Sequence, residues 1–332
     1  MTTTMAQVAI SEPGGPEVLQ LRRTAVPSPS PGEILVRVSA AGVNRPDVMQ
    51  RRGEYPMPPG VNPIPGLEVA GEVVSVGSDV TYFRVGERVC GLTEGGGYAE
   101  YCVVPASQAL HTPDGVTDIQ AAAIPETFFT VWANVFDMGG ARPGDRLLVH
   151  GGTSGIGSTA LMLGSELGLR TMATDGGREK CDAALRLGAE RVVDYRVEDF
   201  VQAVADWTEG AGVDLILDIV GGDYLSRNVE ALGKRGRLLT IGYLGGEVGD
   251  GLNLLQLALK RAVITGSTMR SRTAAEKASI ARELEDKIWP AMAASRCHPL
   301  VHAEFPLTEA GQAHRLMESG QHIGKIVLRV AD

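Results

Sequence analysis

The sequence predicts an α/β protein of two domains, one β-rich and barrel-like, the other a doubly wound parallel sheet. From Val8 to about Val104 it reads as short alternating apolar runs, Ile34 to Val38 and Gly71 to Val76 among them, broken by Pro and Gly clusters. After Ala121 short apolar strands alternate with helical patterns, a rhythm that parallel neighbours require because each needs a crossover connection. Forty-two glycines against 5% aromatic residues suit a chain with many tight strand-to-helix turns. The domain limits that follow are 1–125 with 295–332 for the β-rich part and 126–294 for the sheet.

In the first part, the proline-rich stretch from Gly53 to Gly66 excludes regular helix and central strand, leaving an irregular loop of the kind that carries function. In the second, strands are expected at Arg146–His150, Arg170–Thr174, Arg191–Tyr195, Val213–Val220 and Arg237–Gly242. Helices are expected between them at Ile156–Leu167, Glu179–Leu187, Phe200–Trp207 and Tyr224–Leu232. A sixth strand at Ala262–Thr268 and a helix from about Thr273 to Met292 follow. The run Ile323–Leu328 reads as a strand that returns to the first domain.

Composition excludes several functions. A net charge of −9 gives no basic footprint for nucleic acid. No stretch approaches ~18 uninterrupted apolar residues, and the N-terminus lacks a basic region followed by an apolar run, so a soluble, cytoplasmic protein without a membrane partner is expected. The four cysteines are scattered, with neither a C-x-x-C pair nor a His at ligand spacing, which points to reduced thiols and no metal cluster. None of the six histidines sits in a triad-like or metal-like context, so structural or exposed roles are expected for them.

His150 to Gly157 lies directly between a strand and a helix, where a dinucleotide diphosphate rests on backbone amides and the helix dipole. Gly152, Gly155 and Gly157 permit the tight turn and close approach, while Thr153, Ser154 and Ile156 complete it; the context is that of a Rossmann domain. Asp175, at the end of the second strand, stands where an acidic residue accepts from ribose hydroxyls and repels a 2′-phosphate. Arg178, Lys180 and Tyr195 favour that phosphate instead. NADPH and NADH both stay open on this evidence.

The chain resembles the medium-chain dehydrogenases/reductases, in their zinc-free, zeta-crystallin-like quinone oxidoreductase branch. The segments that carry the resemblance include Ala41–Asp47, Gly66–Glu68, Val85–Val89, Gly95–Tyr101, Leu187–Ala189 and Ile323–Val327. It implies a GroES-like β-rich catalytic domain beside the Rossmann domain and NADPH as cofactor, with NADH kept open by Asp175. Zinc-dependent members carry a Cys-His pair before the aspartate matching Asp47 and a His after the glycine matching Gly66. Asn44, Arg45 and Leu67 stand there, a set without zinc donors, so metal-free chemistry is implied.

The resemblance also assigns roles. Asn44 and Tyr55 are expected to border the nicotinamide and substrate, Asn44 as a hydrogen-bond donor and Tyr55 as a wall. Phe128 and Phe129 add apolar surface and Thr130 a hydroxyl. Gly242, Tyr243 and Leu244 fall at the carboxyl edge of the sheet, where ligands bind. Ser267 and Met269 resemble the segment that meets the nicotinamide carboxamide, and Lys325 is expected to complete the cofactor cleft. Hydride transfer from NADPH to a quinone is the leading expectation. Reduction of an alkenal or enone, and coenzyme binding without catalysis, are the alternatives. The apolar edge strand at Ala262–Gly266 suggests a homodimer.

Overall fold

The computed structural model describes residues 3–55, 57 and 60–330, and the chain divides into two compact units, residues 1–129 with 272–332 and residues 130–271. In the first unit β1 (Thr4–Ile10) pairs antiparallel with β2 (Leu19–Ala25). The main sheet of this unit is built on β3 (Glu33–Val43), which pairs antiparallel with β4 (Glu68–Val76) on one side. The strands β5 (Arg88–Leu92), β6 (Tyr101–Pro105) and β7 (Ala109–His111) continue it, β6 pairing with β3 and β5 with both β4 and β7. Its core is aliphatic: Val36, Val38, Val69, Val73 and Val104 have almost no exposed surface.

The second unit holds six parallel strands: β8 (Arg146–His150), β9 (Arg170–Asp175), β10 (Arg191–Asp194), β11 (Val213–Asp218), β12 (Leu232–Thr240) and β13 (Val263–Gly266). Their spatial order is β10-β9-β8-β11-β12-β13, so the order reverses at β8 and β11. A sheet buried on both faces wants continuous apolar strands, and Leu147, Leu148, Val149, Leu215, Ile216 and Leu217 all have zero exposure. Each expected strand and helix of this unit is found near its expected place. The exception is β12, which begins at Leu232, five residues early, and absorbs the helix end.

The chain then returns to the first unit through β14 (Val301–Pro306) and β15 (Lys325–Arg329), with β15 pairing antiparallel with β3 as the sequence suggests. The division corrects one expected limit. Residues 272–294 group with the first unit, because the helix Ala274–Lys287 is tied there by polar contacts. Lys277 Nζ lies 3.0 Å from Glu94 Oε1, the Tyr82 hydroxyl 3.1 Å from Glu285 Oε2, and the His111 amide donates to Glu285 Oε1 at 3.0 Å. Among the described residues, no helix is long and apolar enough to cross a membrane.

Candidate functional site

In the second unit, β8 ends at His150 and the chain turns through Gly151 (φ 70°) into the helix Gly155–Glu166. Ser154 caps the helix: its Oγ accepts from the Gly157 amide at 2.9 Å and donates to the Gly151 carbonyl at 2.8 Å. A Cβ on Gly157 would lie 2.0 Å from the Gly151 oxygen, so only glycine lets the turn close. The amides of Gly155 and Ile156 are left at the first helical turn without intrahelical acceptors, the arrangement that receives an anion. Gly152 and Thr153 are buried beneath.

Asp175 is not poised as a free ribose partner. It is 4% exposed, its Oδ2 accepts from the Thr153 amide at 2.7 Å and its Oδ1 from the Gly176 amide at 3.1 Å. Its carboxylate is therefore part of the turn. Arg178 is almost fully exposed and lies 3.8 Å from Asp182; Lys180 is half-buried. Tyr195 folds back instead, with its hydroxyl 2.6 Å from where a Gly176 Cβ would stand. Arg196, which the sequence reading passed over, does the same: its guanidinium comes within 3.1 Å of such positions on both Gly176 and Gly177. Position alone, one residue after Tyr195, was its signal.

Beyond β12, Gly242 is half-buried while Tyr243 and Leu244 are exposed, and their segment is held by amides of Leu244 and Gly245 donating to the carbonyls of Ile219 and Val220. Ser267 Oγ donates to Asn134 Oδ1 at 2.8 Å, and Asn134 Nδ2 donates to the Thr130 carbonyl at 2.8 Å, so the Ser267 and Thr130 segments are joined. Met269 is buried.

In the first unit, Asn44 caps the helix Arg45–Arg52 and is 6% exposed. Its Nδ2 donates to Glu68 Oε1 at 2.8 Å, and its Oδ1 accepts from Lys325 Nζ at 2.5 Å. Lys325 also lies 2.6 Å from Glu68 Oε1 and 3.3 Å from the Val43 carbonyl, and Glu68 Oε2 accepts from the Glu126 amide at 2.9 Å. Lys325, expected at the cofactor cleft, thus turns inward at 3% exposure and acts on Asn44 and Glu68. The close fit needs Gly42, where a Cβ would stand 2.0 Å from the carboxylate. Glu68 is the residue here that the sequence reading did not select.

Tyr55 is half-buried, and its neighbours 56, 58 and 59 lie outside the described residues. Phe128 and Phe129, expected as a substrate wall, have zero exposure and belong to the core. Among the described residues, no group of three or more His, Cys, Asp or Glu is placed to hold a metal ion.

Residues 30–114 match the alcohol dehydrogenase GroES-like domain, and residues 187–328 the zinc-binding dehydrogenase family. The quinone oxidoreductase of Rattus norvegicus is 31% identical over 330 residues, covering 98% of this chain and 97% of that protein. The chain belongs to the quinone oxidoreductase family of the medium-chain dehydrogenases/reductases. Its two units are accordingly the family's GroES-like and Rossmann domains. The fold agrees: the Escherichia coli quinone oxidoreductase solved with NADPH superposes with a TM-score of 0.85 at 30% identity, covering 98% of this chain and all of that one. An NAD-dependent alcohol dehydrogenase gives 0.87 at 31% identity with the same coverage. The family's sequence also recurs inside larger proteins. A phenolphthiocerol/phthiocerol polyketide synthase polypeptide from Mycobacterium tuberculosis is 31% identical over 324 residues, and this chain spans 15% of its length.

Asp47, beneath Asn44, gives a pH test of this site. It accepts from the Asn44 amide at 2.8 Å and the Gly66 amide at 2.9 Å, yet full burial outweighs these bonds and pushes its pKa from 3.8 up to about 6. A carboxyl whose pKa is higher folded than unfolded binds its proton more readily in the native state, so its contribution improves as pH falls from about 6 to about 4. The full displacement is worth roughly 3 kcal/mol. Urea unfolding of the wild type and Asp47→Asn should show the wild type gaining relative stability over that interval. A constant difference would contradict the assignment.

Proposed function

We propose that the protein is a soluble, cytoplasmic reductase that transfers hydride from NADPH to a quinone without a metal ion. The observation that carries this reading is the buried set of Asn44, Glu68 and Lys325. Its one carboxylate already faces an ammonium 2.6 Å away, and the set has no thiolate or imidazole, so it does not fit zinc. Polarisation of the acceptor then falls to hydrogen bonding, and the acceptor must be intrinsically reactive, as a quinone is.

Bound NADPH supplies the hydride. The amides of Gly155 and Ile156, with the dipole of their helix, receive its diphosphate. Tyr195 and Arg196 meet the 2′-phosphate over the Gly176–Gly177 turn. Asn44 keeps one amide hydrogen beyond its bond to Glu68, and this donates to the oxygen on which charge develops. A proton from solvent completes the hydroquinone. Tyr55, on the same unit as Asn44, borders the acceptor. Lys325 and Glu68 hold the Asn44 amide in one orientation, its oxygen toward the ammonium and its nitrogen toward the carboxylate.

Reduction of an alkenal or enone is the second reading, since a hydride donor and one hydrogen bond to a developing oxyanion serve any conjugated carbonyl acceptor. Initial rates of NADPH and NADH oxidation with an ortho-quinone and a 2-alkenal, each with and without chelator, separate these readings. Fast quinone-dependent NADPH oxidation that a chelator leaves unchanged is expected. Activity with the alkenal alone moves the assignment to the second reading; coenzyme binding without turnover makes the protein a noncatalytic binder. Inhibition by chelator contradicts the metal-free step. For coenzyme choice, Arg196→Ala should raise the KM for NADPH about tenfold and leave that for NADH nearly unchanged. Equal changes in both would remove Arg196 from the phosphate site.

We further propose a homodimer paired along β13. This strand lies at the end of the sheet with Val263 half exposed, and in the adjoining helix Leu254–Lys260 the side chains of Leu254, Leu255 and Leu259 are about 70% exposed. Light scattering should give a dimeric mass for the wild type and a monomeric one for Leu255→Glu; a monomeric wild type contradicts it.

A further inference from the structure

His150 is the last residue of β8, directly before the glycine turn, and has no exposed surface. Its Nδ1 lies 2.9 Å from Thr174 Oγ1 and its Nε2 lies 2.7 Å from Asn228 Oδ1. Asn228 Nδ2 donates to Asp218 Oδ2 at 3.0 Å, which fixes the amide with its oxygen toward the imidazole. The hydrogen of His150 therefore sits on Nε2, and Nδ1 accepts from the Thr174 hydroxyl. Asp218 Oδ1 closes the line by accepting from the Val220 amide at 2.7 Å and the Gly221 amide at 3.2 Å.

Three of the side chains stand at the carboxyl ends of β9, β8 and β11, three adjacent strands, and Asn228, on the helix Tyr224–Ala231, links His150 to Asp218. Each end carries part of the coenzyme edge. The Thr174 carbonyl accepts from the amides of Gly151 and Gly152, and Asp175, the next residue, holds the Thr153 amide. Asp218 holds the turn whose carbonyls support Leu244 and Gly245. An apolar side chain would fill the space between the rings of Phe200 and Tyr224, whose centroids lie 4.8 and 4.9 Å from that of the imidazole. It would not fix the strand ends in direction, as paired hydrogen bonds do.

We propose that His150 is a positioning residue for the dinucleotide: its neutral imidazole, bonded to Thr174 and Asn228, locks three strand ends together and so sets the amides that receive the diphosphate. Burial holds the His150 pKa below its usual value against the opposing pull of Asp218 and Asn228, with the Arg227 cation acting in the same direction as burial. The neutral form is thus the working one. The inference rests on the coenzyme reading of the glycine turn and deepens it.

The test is the NADPH Kd, from fluorescence titration, and the melting temperature of four variants beside the wild type. His150→Leu should raise the Kd about tenfold and Thr174→Val a few-fold, with the effect in KM rather than kcat. His150→Gln, whose amide can still donate to Asn228, should recover most of the affinity. Phe200→Leu loosens the same packing without touching the bonds, and should lower the melting temperature while leaving the Kd in place. Wild-type Kd values in His150→Leu or Thr174→Val overturn the proposal. So does a Phe200→Leu variant that loses as much affinity for an equal loss of melting temperature. Thr174→Val removes a single hydroxyl and carries the test if His150→Leu fails to fold. A wild type that does not bind NADPH overturns the coenzyme reading itself, an outcome distinct from unaffected variants.

Discussion

The bond from the Thr153 amide to the Asp175 carboxylate is the contact on which the candidate coenzyme site depends. It joins the turn after β8 to the end of β9, and with Asp175 at 4% exposure its removal would leave a buried amide without a partner. With that amide held by Asp175, the helix begins at Gly155, and the amides of its first turn have no intrahelical acceptor. The residue whose spacing suggests a ribose partner thus has a prior task in the protein itself. Its charge is met by two backbone amides, which lessens the repulsion that would otherwise set it against a 2′-phosphate.

The first unit has a parallel arrangement of different chemistry. Lys325 on β15, Glu68 on β4 and Asn44 after β3 come from three parts of the chain and meet where almost no water reaches. Buried ions are retained only with close partners, and removing one partner of such a pair costs roughly 3–5 kcal/mol. The same bonds that satisfy the charges also orient the amide of Asn44. Stability and orientation therefore rest on the same three side chains, one of them supplied by the chain's return to the first sheet.

Much of this was legible in the sequence, and the divisions are physical. Strand and helix alternation after Ala121 follows from periodicity, which is local, and the parallel sheet came out as expected. The glycine turn was legible because glycine spacing dictates the shape of the backbone there. Side-chain direction was not. Lys325 meets partners more than 250 residues earlier and Asp175 a turn 22 residues before it, and only these contacts turn the ammonium inward and the carboxylate under the turn. Phe128 and Phe129, expected to add apolar surface at the site, are fully buried, which their position in the sequence does not reveal. The helix from Ala274 to Lys287 was expected, yet its allegiance to the first unit depends on Glu94, Tyr82 and His111, about 170 to 200 residues earlier.

The most direct measurement is a crystal structure of the protein grown with NADPH. The account predicts the diphosphate against the amides of Gly155 and Ile156, the 2′-phosphate between Tyr195 and Arg196, and Asp175 still bonded to the Thr153 amide. A dinucleotide bound away from this turn, or an Asp175 carboxylate released from Thr153 to hold the ribose, would contradict it.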